Sequence, residues 1–510
     1  MFCFYLCYSH IVHLKFLSQM KFKARVGDIV LWCIVSCVVT ACSSRKIDLL
    51  NELPGYWKGQ AIHNEQKLEI AFSFERKDST LKGKFIVPKY GWHIPITRLE
   101  IKGTSLHLAS GDSFTLNQYN RLVGVLPSVL VPEYEIPFEM RKQNASPMLD
   151  KLDTNNRVDK KPDLILDLNS GAIWGSVSVD DQFLYVGTVD NHVICLDPKT
   201  GRIIWKTDVY SGIRGSIYVA PKHLYFYTDS GAMIKMAKSG EVVWEHYADK
   251  GALNRITDST RYANYDYYSG SPVFEEGIVY YGTHQGAMVA LNDKTKTIKW
   301  SFNAKGAIRS TPVIRNDNIY FGSFDGFVYA LDKKTGELNW SFDSKEPIVS
   351  TPLVSGNNVI IGSRSYDLWS LDAKTGVPKW KYYCWFSWIE SSARIDDSTI
   401  YIGSSDAQHI YALNIADGIE KWAYHINGSA WSKPTVHNNT VYAGTLGTTG
   451  YFVNHLARAV AIDKGTGMAK WTYSFPKVSE GYYGFSTAPV LLGNYVWFGA
   501  TDGKIYGFAL

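Results

Sequence analysis

Cysteine is the residue type in this 510-residue chain whose surroundings promise a definite reaction. Cys42 ends the run Val39-Thr40-Ala41-Cys42 and is followed by Ser43-Ser44. Ahead of it stand Lys21, Lys23 and Arg25, then an apolar stretch from Ile29 to Val39. A basic segment, an apolar segment too short for a comfortable membrane span, and small residues before a cut site together make a secretory leader. The expected cut falls before Cys42, with 1–41 the signal region. Met20 directly precedes the basic segment, and translation is expected to begin there, with the leader over 20–41. A plain cleaved leader or an uncleaved anchor is the alternative.

Other chemistry is sparse. Cys3, Cys7, Cys33 and Cys37 fall within the leader, which leaves Cys195 and Cys384. These two lie in distant copies of the repeat described next, on opposite sides of a ring, so no disulfide is expected. The sequence has no Cys-x-x-Cys pair, zinc spacing or haem motif. His284, His409, His425 and His455 show no evident triad spacing. No catalytic residue and no metal site is expected. A net charge of +5 with 20% charged residues leaves no nucleic-acid footprint.

The elements that would position any site come from a repeat. From about residue 171 to the end, one pattern recurs eight times. Its clearest copy runs from Ser310 through Tyr320-Phe321-Gly322-Ser323, Val328-Tyr329-Ala330-Leu331-Asp332 and Lys334-Thr335-Gly336 to Trp340. A period near forty residues with four short strands per copy predicts an all-β fold, an eight-bladed propeller over 164–510. The closing Trp occurs seven times, at Trp205, Trp244, Trp300, Trp340, Trp380, Trp422 and Trp471. These are expected to dock one blade on the next through ring packing and an indole hydrogen bond. The Gly after Lys-Thr suits a left-handed turn, and the Asp before it a turn cap. The eighth copy stops after its third strand. Leu164-Ile165-Leu166-Asp167-Leu168 is expected to supply the missing outer strand and close the ring.

The pattern resembles the pyrroloquinoline-quinone (PQQ) repeat of eight-bladed quinoprotein dehydrogenases and of the BamB outer-membrane barrel-assembly lipoproteins. That resemblance covers residues 164–510 and speaks for the fold; the repeat consensus is a docking signature, not a cofactor site. The sequence around Cys42 likewise resembles a bacterial lipobox, which implies that Cys42 is the lipidation site, and by the same resemblance Ser43 in place of Asp implies sorting to the outer membrane.

Residues 54–141 stand outside the repeat. Gly55-Tyr56-Trp57-Lys58-Gly59 opens a strand, and Leu68 to Phe74 alternates as a half-buried strand does. The segment resembles the small lipocalin-like β domain of Bacteroidota proteins. Residues 42–53 read as a tether and 142–163, rich in Asn, Lys and Asp, as a linker.

Function is expected where the copies depart from one another. Tyr262, Tyr265, Tyr267 and Tyr268 lie in a long connection; Tyr451 lies in an enlarged loop. Tyr383, Trp385, Trp388, Tyr482 and Tyr483 lie in further connections. All map to one face, and exposed aromatic clusters mark recognition. The alternative is that they pack together or cover the channel mouth. The residue before each inner strand's first small residue is expected at that mouth: Trp174, Arg214, Ser269, Arg309, Val349, Glu390, Trp431 and Phe485. The expected function is a non-catalytic, membrane-tethered, monomeric binding propeller of the cell envelope, with protein or peptide partners and no cofactor. It would act in the manner of BamB. The alternatives are a PQQ- and calcium-dependent dehydrogenase, or an envelope glycan or peptide sensor. The dehydrogenase reading meets a shortage of carboxylates, since Glu390 stands nearly alone at the channel and calcium needs several oxygens.

Overall fold

The computed structural model describes residues 48–63, 66–78, 80–90, 92–96, 99–108, 112–117, 119–126, 136–143, 158–248, 266–449 and 454–510. Met20, Cys42, Tyr262, Tyr265 and Tyr451 lie outside the described residues.

Eight four-stranded antiparallel sheets form an eight-bladed propeller. Blade 8 takes its outer strand from the start of the repeat region. Leu164–Asp167 pairs antiparallel with Lys504–Ala509, Leu164 opposite Gly507 and Asp167 opposite Lys504.

Blade docking has the chemistry the repeat suggests. The indole N–H of Trp205, Trp300, Trp340, Trp380 and Trp422 donates to the carbonyl of Lys238, Lys333, Ala373, Ile415 and Lys464 in turn, at 2.8–3.0 Å. Each acceptor sits in the next blade's outer turn. The glycine of that turn does more than adopt φ near +75°. A Cβ at Gly336 would lie 2.6 Å from the Trp300 ring, so the bare backbone is also the seat for the neighbouring indole. Blade 3 carries Lys296 at this place, still with φ +58°. Trp244, which faces that turn, has a buried indole N–H without a partner among the described residues. Asp332 caps its turn by accepting the N–H of Lys334 and Thr335, both at 2.8 Å, and these bonds pull its pKa down.

The N-terminal part is a nine-stranded antiparallel sheet. The strand Gly55–His63 lies at its centre between Gln66–Lys77 and Pro137–Gln143, while Trp92–Ile96 and Glu100–Lys102 lie at its two ends. Trp57, Leu68, Ile70, Phe72, Phe85, Phe114, Phe138 and Met140 fill its core. Two boundaries move. The expected tether over 42–53 is in part structured: Asp48 caps the short helix Leu49–Glu52, Leu49 and Leu53 are buried, and Trp57 donates to the Leu53 carbonyl at 2.8 Å. The expected linker over 142–163 begins inside the last strand and ends along the propeller.

This sheet and that segment cover part of the propeller's rim. The sheet's core is continuous with blades 5 and 6: Phe386 meets Trp92 at 5.6 Å and Phe85 at 6.3 Å between ring centroids, and Tyr90 meets His409 at 5.3 Å. The Trp92 indole donates to the Asp406 carbonyl at 3.2 Å, and Lys89 pairs with Glu420 at 3.3 Å. On blade 7 an extended segment lies along the outer strand Ala469–Ser474. Lys160 N–H donates to the Thr472 carbonyl at 2.8 Å, and Thr472 N–H to the Val158 carbonyl at 2.9 Å.

Candidate functional site

Each inner strand enters the channel through a short Ser/Thr-rich run. The Ser310 hydroxyl donates to the Gly322 carbonyl and accepts its N–H, both at 2.8 Å, which pins the strand's register; Ser350 does the same at Gly362 and Thr487 at Gly499. The residue before this pin points into the channel. Trp174, Arg214, Ser269, Arg309, Val349, Glu390 and Trp431 all line a central cavity of about 340 Å³. Phe485 does not, and is a correction. Blade 8 uses Thr487 as its pin, so Ser486 lines the cavity, and Phe485 packs instead on Phe475, Phe498 and Tyr506.

The charged groups at the mouth are paired internally. Arg309 is bidentate to Asp266, with both bonds at 2.7 Å and both side chains 2% exposed. The third arm of Arg309 reaches His284 Nδ1; burial and this guanidinium push the imidazole down to about 4. Arg214 bonds Asp229 at 2.9 Å. Glu390 is held by Arg364, Nε to Oε1 at 2.6 Å, while burial raises its pKa against the pull of that arginine. Arg364 also stacks on Trp388, 4.6 Å from the ring centre. It escaped the sequence reading, although a signal existed: blade 5 has Gly362-Ser363-Arg364 where blade 4 has Gly322-Ser323-Phe324.

The loop aromatics do not form one exposed surface. Tyr267 stacks on Trp174 at 4.8 Å with an interplanar angle of 8°, and meets Tyr482 at 5.2 Å. Tyr268 packs edge-on against Trp174 and Trp431, and its hydroxyl donates to the Ser486 carbonyl at 3.3 Å. These rings, starting at blade 3, reach across the mouth to blades 7, 8 and 1. Tyr383 and Trp385 are buried where the N-terminal sheet lies on blade 5, and Tyr483 beside Phe475; none of the three is available as an exposed contact. The reason is the same throughout: large apolar rings found partners within the chain before solvent. Trp388 and Tyr482 remain half-buried.

One Ser–His–Asp line exists that the sequence spacing concealed. Ser429 Oγ lies 2.6 Å from His455 Nδ1, and His455 Nε2 lies 3.5 Å from Asp406 Oδ1. It is not built as a nucleophile. Ser429 and His455 are buried, the adjoining cavity of about 10 Å³ holds roughly one water, and burial drives the imidazole down to about 3, where it is a poor base. The two remaining cysteines are inert for a similar reason. Cys195 and Cys384 are free and buried, and burial pushes their thiols up to about 12 and about 11.

The channel does not fit a quinone–calcium pair. Its only lining carboxylate among the described residues is Glu390, already bonded to Arg364, and Asp229 and Asp266 are taken up by arginines. Among the described residues no three His, Cys, Asp or Glu side chains converge as metal ligands.

Comparison with known proteins places this geometry. An uncharacterized Rickettsia prowazekii protein, RP232, is 25% identical over 136 residues, which cover 25% of this chain and 32% of that protein. The chain thus spans about a third of that relative's length. Two solved structures share the fold. Saccharomyces cerevisiae Sqt1 has a TM-score of 0.55 and 12% identity, with 69% of this chain and 100% of that chain covered. The quinohemoprotein alcohol dehydrogenase of Comamonas testosteroni has a TM-score of 0.53 and 12% identity, with 69% and 78% covered. The family profile described as outer membrane protein assembly factor BamB matches residues 157–269, 266–384 and 384–510, the whole propeller and more than half of the chain, and the protein belongs to that family.

Proposed function

We propose that the protein is a non-catalytic propeller, held at the bacterial cell envelope by a lipid on Cys42, that docks extended segments of partner proteins on the outer edges of blades 1 and 2. The observation that carries this reading is the residue before the docking Trp. In blades 3 to 7 it is polar and exposed: Lys299, Asn339, Lys379, Lys421 and Lys470. In blades 1 and 2 it is Ile204, 51% exposed, and Val243, 48% exposed. Ile203, Val242 and Tyr247 on the same two strands are exposed as well. Open strand edges attract further strands, and lysine on an edge normally prevents this. Blade 2's outer strand, Val242–Tyr247, has no lysine, and blade 1's Lys206 is turned to the Asn169 carbonyl at 2.8 Å; two adjacent edges with β-branched residues before the Trp suit addition of a partner strand. The segment 158–160 on blade 7 shows within this chain how an extended peptide bonds to such an outer strand. Family membership supports protein partners.

A photo-crosslinking amino acid at position 204 or 243, in the native envelope, tests this. Adducts with a discrete partner are expected there, lost when Ile203 and Val242 are both changed to Glu, and absent from position 421. No adduct at 204 or 243, or equal labelling at 421, overturns the rim reading. Loss of fatty-acid labelling in Cys42→Ser is expected; persistence of the label overturns the anchor.

A further inference from the structure

Beneath the mouth, a second ring of side chains lines the same cavity. The hydroxyls of Ser176, Ser216, Ser271, Thr311, Thr351 and Ser392 each accept a backbone N–H from the preceding blade, at 2.8–3.3 Å. With the oxygen committed to that N–H, the hydroxyl's own hydrogen remains, and it meets no acceptor among the described residues. Six O–H donors are thereby offered to the lumen. The pattern breaks in blade 7, where Lys433 holds the ring position, and in blade 8, where Ala488 does.

Lys433 is the exception in charge as well. Arg214, Arg309 and Glu390 are all neutralised by Asp229, Asp266 and Arg364. Lys433, half-buried, lines the cavity with no carboxylate partner among the described residues, and burial, with Arg394 nearby, pulls its pKa down. A partly buried charge without a partner carries a desolvation cost, and an anion in the cavity would offset it. Further polar atoms on the wall are buried and unpartnered: Trp431 Nε1, Ser269 Oγ, Ser432 Oγ and Glu390 Oε2, on residues between 5% and 8% exposed. Trp431 can only donate, and the two hydroxyls can; Glu390 Oε2 is the one pure acceptor when ionised.

We propose that the channel is a binding site for a small hydroxylated oxyanion, a sugar phosphate or a hydroxy acid. The anionic head takes the Lys433 ammonium and the ring hydroxyls, and a ligand hydroxyl donates to Glu390. The cavity, about 340 Å³, is of the size that holds a small organic ligand and exceeds the space of a bare ion. The donor set recognises oxygen-rich anions through charge-assisted hydrogen bonds and has nothing for an apolar guest. This site is separate from the outer edges of blades 1 and 2, so either can fail without the other.

Isothermal titration of the full chain with glucose 6-phosphate, gluconate, inorganic phosphate and, as the uncharged control, glucose tests the proposal. Binding of glucose 6-phosphate or gluconate is expected, tighter than inorganic phosphate, with none for glucose. Lys433→Met should weaken it at least about tenfold, a loss of about 1.4 kcal/mol, and Lys433→Arg should keep it within about threefold. Binding unchanged in Lys433→Met, equal binding of glucose, or no binding of either hydroxylated anion to the wild-type protein overturns the proposal. Should Lys433→Met fail to fold, Ser269→Ala, which leaves the charge in place, is expected to weaken binding about threefold or more, and no change there also counts against the site.

Discussion

The rim of this propeller is finished in two ways. Across blades 5 to 7 other parts of the chain lie against the propeller: the N-terminal sheet brings Tyr90 and Trp92 against His409 and Phe386 and Lys89 against Glu420 of an outer strand, and segment 158–160 bonds to Thr472. Across blades 1 and 2 the outer strands are left uncovered by the described residues and carry Ile203, Ile204, Val242 and Val243 in solvent. The repeat is the same in both regions, so the difference comes from residues the repeat does not specify. Docking of blade on blade needs only the Trp, the Gly and the turn carbonyl. The positions around the Trp are free to be lysine, to accept a domain, or to stay apolar for something outside the chain.

Matched substitutions should break this comparison most sharply. Trp385→Ala, in the covered region, should cost about 3–5 kcal/mol in denaturant unfolding, as buried aromatics do. Ile204→Ala, in the bare region, should fall within about 0.5 kcal/mol of wild type. Equal costs would mean that the two rims are packed alike.

Acid should separate them next. His409 lies against Tyr90 with its pKa held well below the ordinary value by burial and by His425, and burial also lowers His63 beside Tyr383. An unfolded histidine takes up its proton near pH 6.5, whereas these stay neutral when folded. The stability they contribute is complete above pH 6.5 and is lost as pH falls from there toward their folded values. Amide exchange in Gly55–His63 and Trp92–Ile96 should therefore quicken between pH 7.5 and 5, after correction for the intrinsic rate. Exchange in Arg202–Asp208 should not. A uniform response would refute the assignment.

Smaller effects sharpen the picture. Lys296→Gly should remove a left-handed lysine and give the Trp244 indole the bare seat its counterparts have, stabilising by about 1 kcal/mol. No gain in the denaturation midpoint would show that the glycine matters only for its neighbours' turns. Lys89→Ala should cost under about 1 kcal/mol, and less at high salt, because the pair with Glu420 is about a third exposed on both sides.

Blade number, ring closure and the docking role of the tryptophans were legible because each rests on local spacing: Trp340 reaches Ala373 whatever the rest of the chain does. Phe485 was misplaced because the first of two hydroxyl residues is the pin in blades 4 and 5, Ser310 and Ser350, whereas in blade 8 it is the second, Thr487, as its bond to Gly499 shows. Trp385 was harder in principle. An aromatic run bound for solvent and one bound for another domain read alike, and its N-terminal neighbour, His63, lies far back in the chain. The grip of Arg364 on Glu390 joins two loops whose contact no periodicity encodes.

Ring closure carries a consequence for synthesis. Leu164–Asp167 is made before any complete blade, yet its partner Lys504–Ala509 is made after all the other blade strands. Every other strand of the eight blades can pair with the next strand of its own blade as soon as both exist, while this one waits through the production of seven blades. An apolar strand left waiting is the species most exposed to mispairing in a growing chain. The moment of greatest hazard for this protein is thus not while its blades form but just before the last of them closes.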